Sequence, residues 1–398
     1  MRKTVAAVAV AFGVLLPVPA QARAAACGQQ PASGPVSRAV PYEAQLYGLD
    51  RLGRVADGSG VRVAVLDSGV DAQHPQLQGR VDTGLDMLRG NRDARQDCVG
   101  HGTGVASIIA GRRVDGVPFH GLAPRATIVP VRISEQETID GRTVGDFVSP
   151  EKFAQAIDWA SDPRRGNAQV INLSVVMIKE EPAVHEAVDR ALRRGVVVVA
   201  AVGNAGGAQG ANPTPYPAAY DGVIGVGSIG PDGLRAEDSQ HGRYVTVMAA
   251  GVGVTMAAPR SGHAAGNGTS FAAPFVAATA ALLKQRFPDL SPGEITRRIL
   301  ATADPAPGGG RSDEYGYGLL NPYRALTETL APDGAAPPAP VVVHRDDAAQ
   351  VAREARRQHA QDRALLVAAA GAAAVVLLGG GAAVVRRGRR RGWRPASG

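Results

Sequence analysis

The sequence predicts an α/β fold of three layers, a mainly parallel central sheet between helices, with one C-terminal transmembrane helix appended. Three observations carry that prediction. Five apolar runs of strand length alternate with helix-like stretches between residues 61 and 229, and a charge-free stretch lies near each end of the chain. The 398 residues are 45% hydrophobic but include only 2 Cys, so a conventional core must hold the chain and a disulfide scaffold is excluded.

The runs are VRVAVL at 61–66, TIVPVRI at 127–133, QVINLSV at 169–175, VVVVAA at 196–201 and VIGVGSI at 223–229. Near-continuous apolar strands suit a parallel sheet covered on both faces. A helix is predicted over 182–194, with Pro182 in its first turn, Arg193 and Arg194 in its last, and Gly195 as its stop. Two more helices begin near Ser270 and Ser291. In such sheets chemistry collects at the carboxyl ends of the strands.

The flanks read as membrane topology. Residues 1–24 form a signal peptide: Arg2 and Lys3, an apolar run, then Ala20, Ala22 and Ala24, any of which suits cleavage. An N-terminal extension over 25–44 precedes the body at 45–330, and a Pro- and Ala-rich stalk follows at 331–363. Residues 364–385 carry no charge; as a helix of 1.5 Å rise they would span about 33 Å, the thickness of a bilayer core. The tail at 386–398 holds six arginines, which places it on the cytoplasmic side and the body outside the plasma membrane. With Arg2 and Lys3, that tail accounts for the whole net charge of +7 and leaves the rest at −1. A nucleic-acid partner is excluded on this ground. The eight histidines are scattered and the carboxylates lack oxygen-ligand spacing, so no metal and no cofactor is predicted. Asp93 and Asp97 are expected to be solvated or paired with Arg92 and Arg95.

Four polar residues sit beside glycine at the ends of apolar elements: Asp67 in VLDSGVD, His101 in GHGTGVA, Asn204 in AVGNAGG and Ser270 in GNGTSFAAP. An acid, an imidazole, a hydroxyl and an amide are the parts of an acyl-transfer site. Ser270 is the expected nucleophile and His101 its base. Asp67 would orient the imidazole, while the Asn204 amide would meet the developing oxyanion.

VLDSGV, HGTGVA, AVGN and GTSFAAP occur in the order Asp, His, Asn, Ser, and in this the chain resembles the subtilisin family of serine proteases over roughly residues 45–330. GLAPRATIVPVRI, INLS, YPAAYDGVIGVGSI and YGYGLLNPYRAL resemble that family's supporting segments. The resemblance implies a three-layer subtilisin-like fold and peptide-bond hydrolysis, with Ser174 lining the substrate strand. The family's usual Ser-Leu-Gly is here Ser174-Val175-Val176, which implies a narrower substrate range.

Signal, extension, protease body, stalk, span and basic tail together resemble the mycosins, membrane-anchored subtilases of type VII secretion systems in actinobacteria. That likeness implies limited processing of protein or peptide substrates and partners among the secretion membrane-complex subunits. A scaffold role with dispensable catalysis and a general degradative surface protease are the alternatives. About 40 residues separate a cut near Ala24 from Asp67, too few for a chaperone propeptide, so the extension is expected to stay attached. Cys27 and Cys98, if oxidised, would clamp it beside His101, closing a loop of about 70 residues worth about 4 kcal/mol; two free thiols are the other possibility.

Overall fold

A computed structural model describes residues 32–330, apart from 91–92, 140–141 and 208–211, together with Arg387. The signal peptide, Cys27, the stalk, the span at 364–385 and the rest of the tail, all expected from the sequence, lie outside the described residues. Among the described residues no helix is long and apolar enough to cross a membrane. The chain divides into units 1–330 and 331–398, and everything below concerns the first.

Eight helices and eleven strands are described. Helices α1 (Tyr42–Tyr47) and α2 (Leu49–Leu52) lead into β1 (Arg62–Asp67), the short edge strand β2 (Leu85–Asp86), α3 (His101–Ala110) and β3 (Thr127–Arg132). A small hairpin of β4 (Glu137–Ile139) and β5 (Arg142–Val144) precedes α4 (Pro150–Ser161), β6 (Val170–Leu173), α5 (Pro182–Arg193), β7 (Val197–Ala201) and β8 (Ile224–Ile229). The last third holds β9 (Val247–Ala250), the hairpin β10 (Val252–Ala257) and β11 (His263–Asn267), then α6 (Thr269–Arg286), α7 (Pro292–Ala301) and α8 (Pro322–Thr327).

Seven strands form one sheet in the order β2-β3-β1-β6-β7-β8-β9, and every neighbouring pair is parallel. All five apolar runs lie in it. Their side chains alternate between two cores: Val63 and Val65 join the layer of α3 and α6, whereas Ala64 and Leu66 join that of α4 and α5. A strand buried on both faces has no polar side, which is why these runs are continuous. The two-residue edge strand β2 and the β10–β11 hairpin lack such a run and escape a reading by pattern, whereas β9, VMAA, is apolar and buried throughout but short.

The helix signals also have visible causes. Ser291 caps α7 with a reciprocal Ser291–Glu294 capping box, and α5 ends before Gly195, which has φ of 83°. Helix α6 is buried around most of its circumference from Thr269 to Leu283, as expected for a helix apolar on all sides that lies within a core. The body begins slightly earlier than its boundary at 45, since α1 starts at Tyr42 and already buries Glu43 and Tyr47.

Chain order creates the crevice. From β1 the chain crosses through α3 to β3, then returns through α4 on the other face to β6, on the opposite side of β1. Adjacent strands β1 and β6 thus send their connections to opposite faces, which opens a gap at their carboxyl ends.

Candidate active site

Asp67 closes β1, buried at that gap, and His101 is the first residue of α3. The His101 Nδ1 lies 2.8 Å from Asp67 Oδ1 and 3.0 Å from Oδ2. A carboxylate only accepts, so Nδ1 carries the proton and Nε2 is left as the basic nitrogen. Burial by itself pushes the imidazole pKa down. The charge and hydrogen bond of Asp67, with Asp97 behind it, outweigh that effect and hold it above its ordinary value.

The helix is brought there by a carboxylate that the sequence reading misplaced. Asp97 is buried and makes no arginine pair among the described residues. Its Oδ1 accepts from Ser68 Oγ (2.9 Å), Val99 N (3.0 Å) and Gly100 N (2.8 Å). Its Oδ2 accepts from Thr103 N (2.8 Å) and Thr103 Oγ1 (2.6 Å). The physical reason for the correction is that α3 begins in the protein interior, where its orphan N–H groups need an internal acceptor. Ser68 Oγ also accepts from Gly102 N at 2.9 Å, so Asp97 and Ser68 lace the end of β1 to the first turn of α3. A Cβ at Gly102 would lie 2.2 Å from the Gly69 carbonyl oxygen; glycine permits this approach. Asp93, by contrast, is exposed and accepts from Arg95 N at 2.9 Å.

A buried arginine braces the same loop. Arg132, at the end of β3, pairs with Asp86, donates to the Ser68 carbonyl at 3.0 Å and also donates to the Gln96 carbonyl.

Ser270 is the second residue of α6. Its Oγ donates to the Ser174 carbonyl at 3.4 Å, and no hydrogen bond joins it to His101. Ser174 follows β6 and donates its hydroxyl to the Ser270 carbonyl at 2.7 Å. That acceptor is free because residue 274, four positions on, is Pro and has no N–H to offer. Ser174, predicted to line the substrate strand, does face the cleft, but its hydroxyl is committed to α6.

Asn204 lies beyond β7. Its Oδ1 accepts from Thr269 N at 2.9 Å and Thr269 Oγ1 at 3.0 Å. A backbone N–H can only donate, so the atom it meets is the amide oxygen, and Nδ2 of the exposed Asn204 side chain is left without a partner among the described residues. Thr269 Oγ1 in turn accepts from Gly203 N at 3.0 Å.

Asp67, His101, Ser174, Asn204 and Ser270 open onto one cleft of about 1330 Å³. Phe271, next to Ser270, packs its ring 5.0 Å from that of His101. Sequence reasoning missed Ser68, Thr269, Phe271 and Arg132, and took the buried Asp97 for a solvated or arginine-paired group. Pro274 marks the Ser270 carbonyl as free of its helical partner, but only the folded chain shows that Ser174 fills it. Cys98 is not a free thiol, and the nitrogens of the Arg89 guanidinium lie 3.9–4.0 Å from its sulfur.

Residues 58–318 match the family model described as the subtilase family. Subtilisin DY of Bacillus licheniformis is 34% identical over 72% of this chain and 98% of its own. Subtilisin E of Bacillus subtilis is 34% identical over 66% of this chain, and the match spans 65% of its own length. Mycosin-1 of Mycobacterium tuberculosis is 34% identical over 75% of each chain. Among solved structures, MycP1 from Mycobacterium smegmatis has a TM-score of 0.66 at 30% identity, covering 79% of this chain and 92% of that one. Another, described as a serine protease MycP1 and an essential component of the type VII (ESX-1) secretion system, has a TM-score of 0.65 at 30% identity, covering 76% and 93%.

Proposed function

The chain belongs to the subtilase family, and on that premise we propose that it is a membrane-anchored serine endopeptidase of the mycosin type, doing limited processing of secreted proteins in a type VII secretion system. One observation carries the catalytic part: the Asp67–His101 pair at 2.8 Å opens onto the same cleft as Ser270 and the unengaged Asn204 amide. Ser270 Oγ attacks the scissile carbonyl carbon while His101 Nε2 takes its proton. The resulting imidazolium returns that proton to the leaving amine, and water activated by the same nitrogen hydrolyses the acyl-enzyme. Asn204 Nδ2 and the Ser270 N–H meet the oxyanion. Because the Ser270 hydroxyl is directed at the Ser174 carbonyl, its O–H must turn from that acceptor before His101 can receive its proton.

The finer parts have separate support. Val176 on the cleft wall, where a glycine is usual in the family, favours a narrow substrate range. The place in a secretion system rests on the likeness to mycosin-1 and MycP1. The leader, the single span with its tail inside, and a bridge between Cys27 and Cys98 rest on the sequence.

Labelling of the full-length chain with a fluorophosphonate probe tests the chemistry. Wild type should label, and Ser270→Ala and His101→Ala should not. A folded wild type that fails to label would overturn the enzymatic reading and favour a scaffold role. For topology, a reporter fused at the C-terminus should be shielded from externally added protease.

A further inference from the structure

We propose that residues 32–37 form a releasable wall of the substrate cleft, latched to the body through neutral His263 and freed when that ring takes up a proton. The inference rests on reading the cleft as a substrate site, but the latch itself is independent of turnover.

Ala32, Gly34, Pro35 and Ser37 line the same cleft as His101 and Ser270. Three hydrogen bonds hold this segment against the start of β11, two of them between main chains. Gly34 N donates to the Ser261 carbonyl at 2.9 Å, and His263 N donates to the Pro35 carbonyl at 2.9 Å. The third, from Ser37 N, ends not on backbone but on His263 Nδ1, at 2.9 Å. The approach is close: a Cβ at Gly34 would lie 2.0 Å from the His263 carbonyl oxygen.

These partners determine the protonation state of the ring. The Ser37 amide can only donate, so His263 Nδ1 is an unprotonated acceptor. On the other side, Nε2 lies 2.7 Å from Gln76 Oε1. Gln76 presents its oxygen there because its Nε2 is spent on the Phe119 carbonyl at 2.7 Å. His263 is therefore the neutral Nε2–H tautomer. A proton added at Nδ1 would set two N–H donors against each other at 2.9 Å, and the Ser37 bond could not survive.

The surroundings offer the extra charge no compensation. From the turn at 71–79, His74 faces His263. His74 Nδ1 accepts from Gln76 N (3.2 Å) and its Nε2 donates to the Gly262 carbonyl (3.1 Å), so it too is neutral. From the 112–119 segment, the Phe119 ring stands edge-on at 5.4 Å. From the extension, Ser37 is the facing group. The carboxylate in this neighbourhood, Asp71, acts on His74 and accepts from Arg260 N; among the described residues no carboxylate hydrogen-bonds to His263. Burial pushes the His263 pKa below its ordinary value of 6.5, a proton on His74 would push it the same way, and burial lowers the His74 pKa too. A group with a depressed folded pKa supports the latched state fully above 6.5 and loses that support as pH falls below it.

Hydrogen exchange by mass spectrometry on the full-length chain tests the latch at pH 7.5 and 5.0, with rates corrected for the chemical effect of pH. Protection of peptides covering 33–38 should fall about tenfold or more at pH 5.0, while β7 stays protected. His263→Asn keeps an acceptor near the Nδ1 position that does not titrate, so its protection should persist at pH 5.0. His263→Phe should lose protection at both pH values. Unchanged wild-type protection between the two pH values would overturn the proposal, as would a His263→Asn chain as pH-sensitive as wild type. Fluorophosphonate labelling of Ser270 in the same samples reports the catalytic reading, so latch and enzyme can fail separately.

Discussion

Each cleft residue owes its chemical state to the group at its other end. His101 is a base at Nε2 because Asp67 holds Nδ1–H, and Asn204 offers an N–H because Thr269 occupies its oxygen. In subtilisin, a relative, loss of one oxyanion-hole donor costs about 100- to 1,000-fold in kcat. The same loss is expected for Asn204→Ala, with KM little changed; steady-state turnover of a peptide substrate checks it. The raised His101 pKa puts the acid limb of kcat/KM above pH 6.5, since the free base is the active form. Asp97 contributes to that rise, so Asp97→Asn should move the limb to lower pH, whereas Asn204→Ala should leave it in place. An unmoved limb would mean that Asp97 only holds α3. Asp67, His101, Asn204 and Ser270 were legible because each stands at the end of an apolar element within two residues of a glycine. Asp97 was not, because burial of a carboxylate depends on where its loop packs.

Among elements, β1, α3 and α6 bring the reacting groups together, and buried charges hold their neighbours. Arg132 on β3 braces the loop that carries Asp97. Arg132→Leu would strand Asp86, which is wholly buried, at a cost of about 3–5 kcal/mol. A lowered urea midpoint would report it, and an unchanged midpoint would show the pair to be dispensable. Helix α1 fastens the cleft hairpin, with Glu43 Oε1 accepting from Thr255 N at 2.8 Å and Oε2 buried without a partner. Burial raises the Glu43 pKa from 4.5 to about 7. A raised folded pKa makes its contribution complete below 4.5 and lost as pH rises through 7, a span worth about 3 kcal/mol. Glu43→Gln should therefore match wild type in Tm near pH 5 and exceed it at pH 8.5. A Tm difference that does not grow with pH would rule this out. No alternation marked α1, since a six-residue helix is too short to show a period.

For the whole molecule, the proposed Cys27–Cys98 bridge would close a loop of about 70 residues around the extension and add about 4 kcal/mol. Mass spectrometry of unreduced peptides should find the two cysteines joined, and free thiols would remove the clamp. At this scale the sequence by itself determined the parallel sheet, because strands buried on both faces must be apolar throughout. It also determined the helix ends marked by Pro182, Ser291 and Gly195, and the four chemically distinctive residues at the strand ends. Those are local signals, carried by neighbours in the chain. Tertiary structure alone decided that Asp97 is an internal anchor and that Arg132 is buried against Asp86. It alone decided that Ser174 serves α6 and that His263 is held neutral against residues 32–37. Each of these depends on groups 6 to 226 residues apart, and a hydrogen bond between distant segments leaves no periodic trace in either one.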